Sequence, residues 1–308
     1  MPGFVTPISS NYSGEHAGQY IGPALKSAKS LEYLTVLENV KYKRNITKVS
    51  TSGLITDANC DFTAAGDVTL TERVLEPKNM QINIDLCAND VLSEWQAAKM
   101  RPGAHNNGLS DDFTAFLMSH LSGSIADHVE TQIWQGLSSN AGEFTGFMNA
   151  ANGHFENDAA IVEADNAGGA GVAFDVNNID DNLGLIAAAI PSAVYTKEDL
   201  YIYMSPASYR LYLQNQANAG YQQLYSMNDA FVPMYNGIKI AVCPGMVDNK
   251  MAAAQKSNLF FGTDLLGDHV EVRILDMSEI DGSSNIRVVC KFTGGTQHAQ
   301  GGDIVRLD

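Results

Sequence analysis

Two histidines eight residues apart, His120 and His128, stand beside Asp127 and Glu130 and are the first candidates for metal binding or proton transfer. On a helix eight residues rise about 12 Å, too far for two direct ligands to one ion. The pair therefore reads as ordinary partly buried or interface histidines. His16, His105, His154 and His298 sit among polar or Gly-rich neighbours and are expected at solvent, while His269 beside Asp268 suits a turn hydrogen bond. Cys290 next to Lys291 has the types of an activated thiol, but alternation puts it with Val288 and Phe292, where a thiol is buried and inert. Asp175, Asn177, Asp180 and Asp181 have the types of a calcium loop. The EF-hand glycine and closing glutamate are missing, and a helix cap with favourable first-turn charge explains the acids. Gly168-Gly169-Ala170-Gly171 is too common a composition to specify phosphate.

No P-loop, dinucleotide-binding GxGxxG, HExxH, GxSxG or C-x-x-C pattern occurs. No nucleophile, base and orienting group assemble locally, so the chain reads as a non-enzyme without catalytic, cofactor-binding or metal-binding residues. Its 19 Lys and Arg against 35 Asp and Glu give a formal charge of −16. With no basic run beyond Lys41-Tyr42-Lys43-Arg44, gripping a nucleic-acid duplex is excluded as the main function, although non-specific proximity to DNA is not. Cys60, Cys87, Cys243 and Cys290 are widely spaced and read as four small hydrophobes in a reducing setting. No segment has the roughly 18 consecutive apolar residues of a membrane span, and no secretory signal is visible at the start.

The elements that must position any site follow from periodicity. Residues 1–30 have no sustained period and read as an arm ordered by contact with something else. Val68, Leu70 and Val74, then Met80, Ile82, Ile84 and Leu86 beyond Pro77, alternate with polar residues. This pattern predicts one long half-exposed ribbon over 45–85, its apolar side covered by another copy. A short helix is expected near Asp90 to Lys99, ended before Pro102. Ser110 as cap, Asp111 and Asp112, and apolar residues from Phe113 to Ile133 at three- and four-residue steps predict a long helix over 110–135. Residues 136–174 read mostly as loop, with a domain boundary near Asn166 to Gly171. Asp175 can cap a helix carrying Ile179, Leu183, Ile186 and Ile190. LYIYM at 200–204 reads as a buried strand, and Ser205-Pro206 as cap and first helical residue. Strands around Ile238, Leu259, Val270 and Ile286 complete a mixed sheet with helices packed on it.

The order of these pieces resembles the HK97-type major capsid protein family of tailed double-stranded DNA phages. The similarity rests on IWQGLSSNAGEFTGFMN after the long helix, LYIYMSPASYRLYLQNQ, YNGIKIAVCPGM, NLFFGTDLLGDHVEVRILD and IRVVCKFTGGTQHAQGGDIVRL. It implies an α+β, HK97-like capsid fold: an N-terminal arm over 1–44, an extended β-hairpin loop over 45–85, a peripheral domain over 86–174 and 281–308 with a spine helix at 110–135, and a mixed α/β axial domain over 175–280. It also implies a homo-oligomer of hexamers and pentamers forming an icosahedral shell around double-stranded DNA, in a virion assembled in host cytoplasm. The expected partners are a scaffold, a portal and decoration proteins, with no membrane and no cofactor. The family's cleaved scaffolding segment is expected to be absent, replaced by a separate scaffold, or already removed from this chain, the initial Met speaking against the last. Tyr209, Tyr212, Tyr221 and Tyr225 are expected as contacts around the capsomer. The alternatives are an encapsulin-like nanocompartment shell, a tail-tube or adhesive component and, from another class, a soluble α/β enzyme with a dispersed site.

Overall fold

The computed structural model describes residues 28–58, 60, 64–87, 111–167, 169, 171–220, 233–263, 273–277, 282–283 and 285–308. The expected arm before residue 28, the short helix at 90–99, Ser110, Gly168, Ala170, Tyr221, Tyr225, His16, His105 and His269 lie outside the described residues. In chain order, a 3-10 turn at Lys29–Tyr33 leads to β1 (Thr35–Leu37), β2 (Arg44–Ser52), β3 (Asp67–Leu75) and β4 (Lys78–Cys87). Then come α1 (Asp111–Gln135), β5 (Val162–Ala164), α2 (Ile179–Ala189), α3 (Ser192–Tyr195), β6 (Leu200–Met204) and α4 (Pro206–Asn218). The chain closes with β7 (Met234–Tyr235), β8 (Ile238–Val242), β9 (Met251–Gln255), β10 (Leu259–Gly262), β11 (Arg273–Asp276), β12 (Asn285–His298) and β13 (Val305–Leu307). No helix among the described residues is long and apolar enough to cross a membrane.

The strands form three sheets. One runs β5-β13-β9-β6-β8-β7; a second runs β1-β10-β12-β11 with β4 also on β12; the third is β2-β3 alone. The six-stranded sheet is apolar on both faces, as its unbroken hydrophobic strands require. Tyr203, Ala241, Ala252 and Ala254 face a core shared with Leu121, Ile125, Val129, Ile133 and Trp134 of α1. Their neighbours Ile202, Met204, Ile240, Met251 and Ala253 face the opposite way, onto Ile179, Leu183 and Ile186 of α2 and Tyr212 of α4. This is the period of two in a strand made into a two-sided core. The Ser205 side chain accepts from the Ser208 amide and Pro206 opens α4, as its sequence dictates. Strands on both sides of residues 166–171 share the sheet, since β5 pairs with β13 and β13 with β9.

The alternating residues read as one ribbon through 85 divide at Glu76-Pro77. β2 pairs with β3 from Arg44↔Leu75 to Ser52↔Asp67, but β4 turns onto the body and pairs antiparallel with β12. The register matches apolar to apolar: Leu86 lies opposite Ile286, Ile84 opposite Val288, Ile82 opposite Cys290 and Met80 opposite Phe292. Two amphipathic strands thus cover each other's needs, which two alternating runs on one hairpin would not. The crossing is possible because Gly295 carries no side chain; a Cβ there would lie 2.9 Å from the Pro77 Cα.

A buried carboxyl joins the start of the described chain to its middle. Glu130 is fully buried on α1. Its oxygens accept from the Ser30 amide at 2.9 Å, the Ser30 hydroxyl at 2.6 Å and the Gly245 amide at 3.1 Å. Ser30 Oγ in turn accepts from Trp134 Nε1 at 2.7 Å. Gly245 must be glycine, because a Cβ there would overlap the Glu130 carbonyl oxygen. Replacing Ser30 by Ala leaves the buried indole N–H unpaired, at a cost of about 1–3 kcal/mol, and takes from the carboxyl one charge-assisted hydrogen bond. We expect Ser30→Ala to lower stability by about 2–4 kcal/mol, read as a lower urea midpoint at unchanged slope.

Candidate functional site: the projecting hairpin and its root

The two-stranded sheet has two unlike faces. Register places Val49 opposite Leu70, Thr51 opposite Val68 and Asn45 opposite Val74, so these side chains share a face. Leu70 is 66% exposed, Val68 61% and Val49 59%, and in the loop beyond β2 Ile55 reaches 97%. On the other face Ile46 pairs with Arg73 and Arg44 with Leu75. Leu75 is wholly buried, its methyls filling the space that a Cβ on Gly262 would occupy. The hairpin thus shows solvent an apolar stripe and keeps its body contacts at one end. Two strands with no third have little core of their own.

That end is held mostly by polar contacts. Arg73 donates from Nη2 to Asp158 Oδ2 at 2.5 Å and from Nε to the Ala299 carbonyl at 3.1 Å. His298, fully buried at the end of β12, reaches the same Asp158 oxygen through Nε2 at 2.8 Å. A carboxylate only accepts, so Nε2 carries the proton, while Nδ1 is buried with no hydrogen-bond partner among the described residues. His154 stacks edge-on to His298 with ring centroids 6.3 Å apart. Gln297 Nε2 donates to the Val74 carbonyl, and Lys43 pairs with Glu76 at 3.0 Å. A cleft of about 530 Å³ opens beside this root, lined by Val74, Pro77, Lys78, Phe144, His154 and Thr296.

The electrostatics follow from burial and partners. Burial, helped by the neighbouring His298 and Arg73, pushes His154 down to about 4 against the pull of two backbone carbonyls. Burial also lowers His298, with Arg73 adding to it and the Asp158 hydrogen bond opposing. For Asp158 burial alone would act upward. The hydrogen bonds from His298 and the Ala160 amide, with the charge of Arg73, outweigh it and hold the carboxyl below its ordinary value.

The residues singled out by type scatter. His128 is exposed and meets the Gly142 carbonyl at 2.9 Å, whereas Glu130 points into the core, so α1 does not bring them together. Asp127 and His120 build no site with them, and the described residues contain no group of three His, Cys, Asp or Glu that could hold a metal. Asp175 caps the turn before α2, accepting from the Asn177 and Asn178 amides, while Asp180 and Asp181 lie in the first helical turn. Cys290 is buried between Val288 and Phe292, and burial pushes the Cys243 thiol far up. Four expectations need correction. His298 is buried and His154 half-buried, because the Gly-rich segments around them fold inward onto Phe147 and Phe155. Cys60 is exposed in the loop between β2 and β3. Tyr212 is a core residue, stacked edge-on to Tyr235 with its hydroxyl donating to the Met234 carbonyl. Tyr209, half-buried, packs against the same core.

No protein-family model matches the chain, and no curated protein matches it in sequence. Solved structures do match it, along nearly its whole length. A chain from the capsid of the Myoviridae phage XM1 superposes with a TM-score of 0.61 at 9% identity, covering 100% of this chain and 99% of that one. A capsid chain of an empty GTA particle gives 0.58 at 13% identity, covering 98% and 94%. The capsid chain of the cyanophage P-SCSP1u gives 0.58 at 12% identity, covering 94% and 90%. The fold is the HK97-like capsid fold. At 9–13% identity what this chain shares with those capsid chains is the path of the backbone, and its side-chain chemistry is its own.

At the root, Asp158 serves two side-chain donors at once. We expect Asp158→Ala to cost about 2–4 kcal/mol by leaving Arg73 and buried His298 without their acceptor. Asp158→Asn, which keeps one acceptor oxygen, should cost less than half as much in the same urea titration.

Proposed function

We propose that the chain is a major capsid protein that self-assembles through hexamers and pentamers into an icosahedral shell enclosing double-stranded DNA. The observation that carries this reading is the hairpin of β2 and β3, whose apolar face is turned to solvent on a chain that follows the path of capsid chains from end to end. A second copy lying under that face would bury Val49, Val68, Leu70 and Ile55, each contributing about 1.5–3 kcal/mol once covered. Repeated at every subunit, such contacts need no catalytic residue, only area and a partner of matching shape.

In this reading residues 1–44 are the arm, the hairpin is the extended loop and α1 is the spine helix. Residues 86–174 with 281–308 form the peripheral part and 175–280 the axial part. A scaffold, a portal and decoration proteins act with it. The shell assembles in the host cytoplasm and becomes part of the virion. The acidic balance suits a wall that stands beside DNA without gripping it.

Two exposed substitutions test it. Val49→Asp with Leu70→Asp places charge on the apolar face while leaving the body untouched, so the chain should fold with stability within about 0.5 kcal/mol of the parent. Electron microscopy of the purified parent should show closed shells, and of the double variant only small oligomers. Closed particles of normal size from the double variant would refute the role of the hairpin. A parent that stays monomeric at high concentration would refute the shell itself. The mass of enclosed DNA or protein distinguishes a phage capsid from an encapsulin-like compartment.

A further inference from the structure

The root of the hairpin contains two histidines, His298 buried and His154 half-buried, that no part of the assembly reading uses. Their geometry has a direct consequence. His298 gives its one proton to Asp158, and its bare Nδ1 faces no partner among the described residues. A second proton there would place a donor without an acceptor in a fully buried ring. The charged and titratable groups that act on the two rings are Arg73 from β3, Asp158 from the turn before β5, and each ring on the other, while Glu76 and Lys78 line the same cleft as His154. With both rings neutral, one anion holds one cation. With both charged, three cations crowd one carboxylate, and Arg73 must share Asp158 Oδ2 with an imidazolium. Arg73 is the member that can leave, because it is a third exposed and belongs to a ribbon with little core.

We propose that Arg73, Asp158, His154 and His298 form an acid-sensitive latch, holding the hairpin against the body at neutral pH and releasing it as the two histidines take up protons. The sign follows from linkage. Both rings are lowered from the ordinary histidine value of 6.5 when the root is closed, His154 to about 4. Opening the root returns them toward that ordinary value, so the open form binds more protons and gains on the closed one as pH falls from about 6.5 toward 4. Asp158, held below its ordinary value of 3.8, stays ionised through this window and does not drive the change. Between pH 7.5 and 5 the open-to-closed ratio should rise by about tenfold or more from His154 alone.

The test uses the full chain bearing Val49→Asp and Leu70→Asp, so that the outcome does not depend on whether shells form. Spin labels are placed on Thr47→Cys of the hairpin and Lys197→Cys of the body, with Cys60 and Cys87 replaced by Ser. Pulsed electron resonance should show one narrow distance at pH 7.5 and a broad, shifted population at pH 5, increased about tenfold or more. His154→Gln with His298→Gln should remove this pH dependence. Arg73→Gln, at a partly exposed position outside the core, should give the broad population already at pH 7.5. Identical distance distributions at pH 7.5 and 5 in the parent would overturn the proposal. So would a narrow distance in Arg73→Gln at pH 7.5, which keeps the proposal open to refutation should the histidine variant fail to fold.

Discussion

The carboxyl of Glu130 is the point on which the body depends. It lies in the apolar core between α1 and the six-stranded sheet, where an unpaired carboxyl would cost several kcal/mol. Its donors come from far along the chain: Ser30, one hundred residues before it, and Gly245, one hundred and fifteen after it. Satisfying that one group therefore fixes three segments at once. The 3-10 turn at Lys29–Tyr33 must lie against α1, the turn after β8 must come close enough for a backbone amide to reach, and Trp134 must orient its indole toward the same serine. Around this centre the Tyr203 hydroxyl donates to the Tyr33 carbonyl and its ring packs 5.4 Å from that of Trp134. Buried polar groups specify a single arrangement in a way that interchangeable apolar contacts do not.

The periphery is built on the opposite principle. β2 and β3 leave the body after Val40, whose amide bonds to the Thr263 carbonyl, and return at Leu75. Between those points the ribbon rests on no core, and what orients it is a handful of polar contacts around Asp158. Breaking a polar contact that water can replace changes direction at small cost, whereas separating two packed faces does not. The chain thus couples a body of fixed shape to an outstretched element whose angle is set by a few hydrogen bonds. The proposed shell would use this division, since a subunit that fits several slightly different settings in one closed surface needs a fixed body and an adjustable contact.

Much of the body was legible from residue order. The alternation of Ile286, Val288, Cys290 and Phe292 located β12 and its buried face, the steps from Leu121 to Ile133 located α1, and Ser205-Pro206 located the start of α4. These signals are local, so sequence carries them. What it did not carry was which runs meet. Met80, Ile82, Ile84 and Leu86 alternate just as Val68, Leu70 and Val74 do, and only the partner strand decides that the former are covered by the body and the latter left outside. The root was missed for the same reason. Arg73, Asp158 and His298 are separated by 85 and 140 residues, and although Phe155 adjoins His154 and the alternation of β12 runs on to His298, their polar and Gly-rich neighbours suggest solvent. A usable signal was the Gly content around them, since glycines let backbones approach and enclose a ring that polar neighbours suggest is wet. Glu130, read beside His128, was in fact on the other side of its helix, because residues two apart on a helix do not face each other.

The two buried polar centres are alike in construction and opposite in consequence. In each, one carboxyl collects donors from remote segments. At Glu130 the donors are a serine, its amide and a backbone amide, none of which changes its charge in water near neutrality. At Asp158 the donors are an arginine, the Ala160 amide and a histidine, the side-chain type whose ordinary charge change lies nearest neutrality. The first centre lies where the body must not move, and the second where the hairpin joins it. The donors at the first centre keep their charge, and the second centre joins the hairpin through a donor that can change it. Exchanging the two sets of donors would give a body that loosens in mild acid around a hairpin that stays fixed.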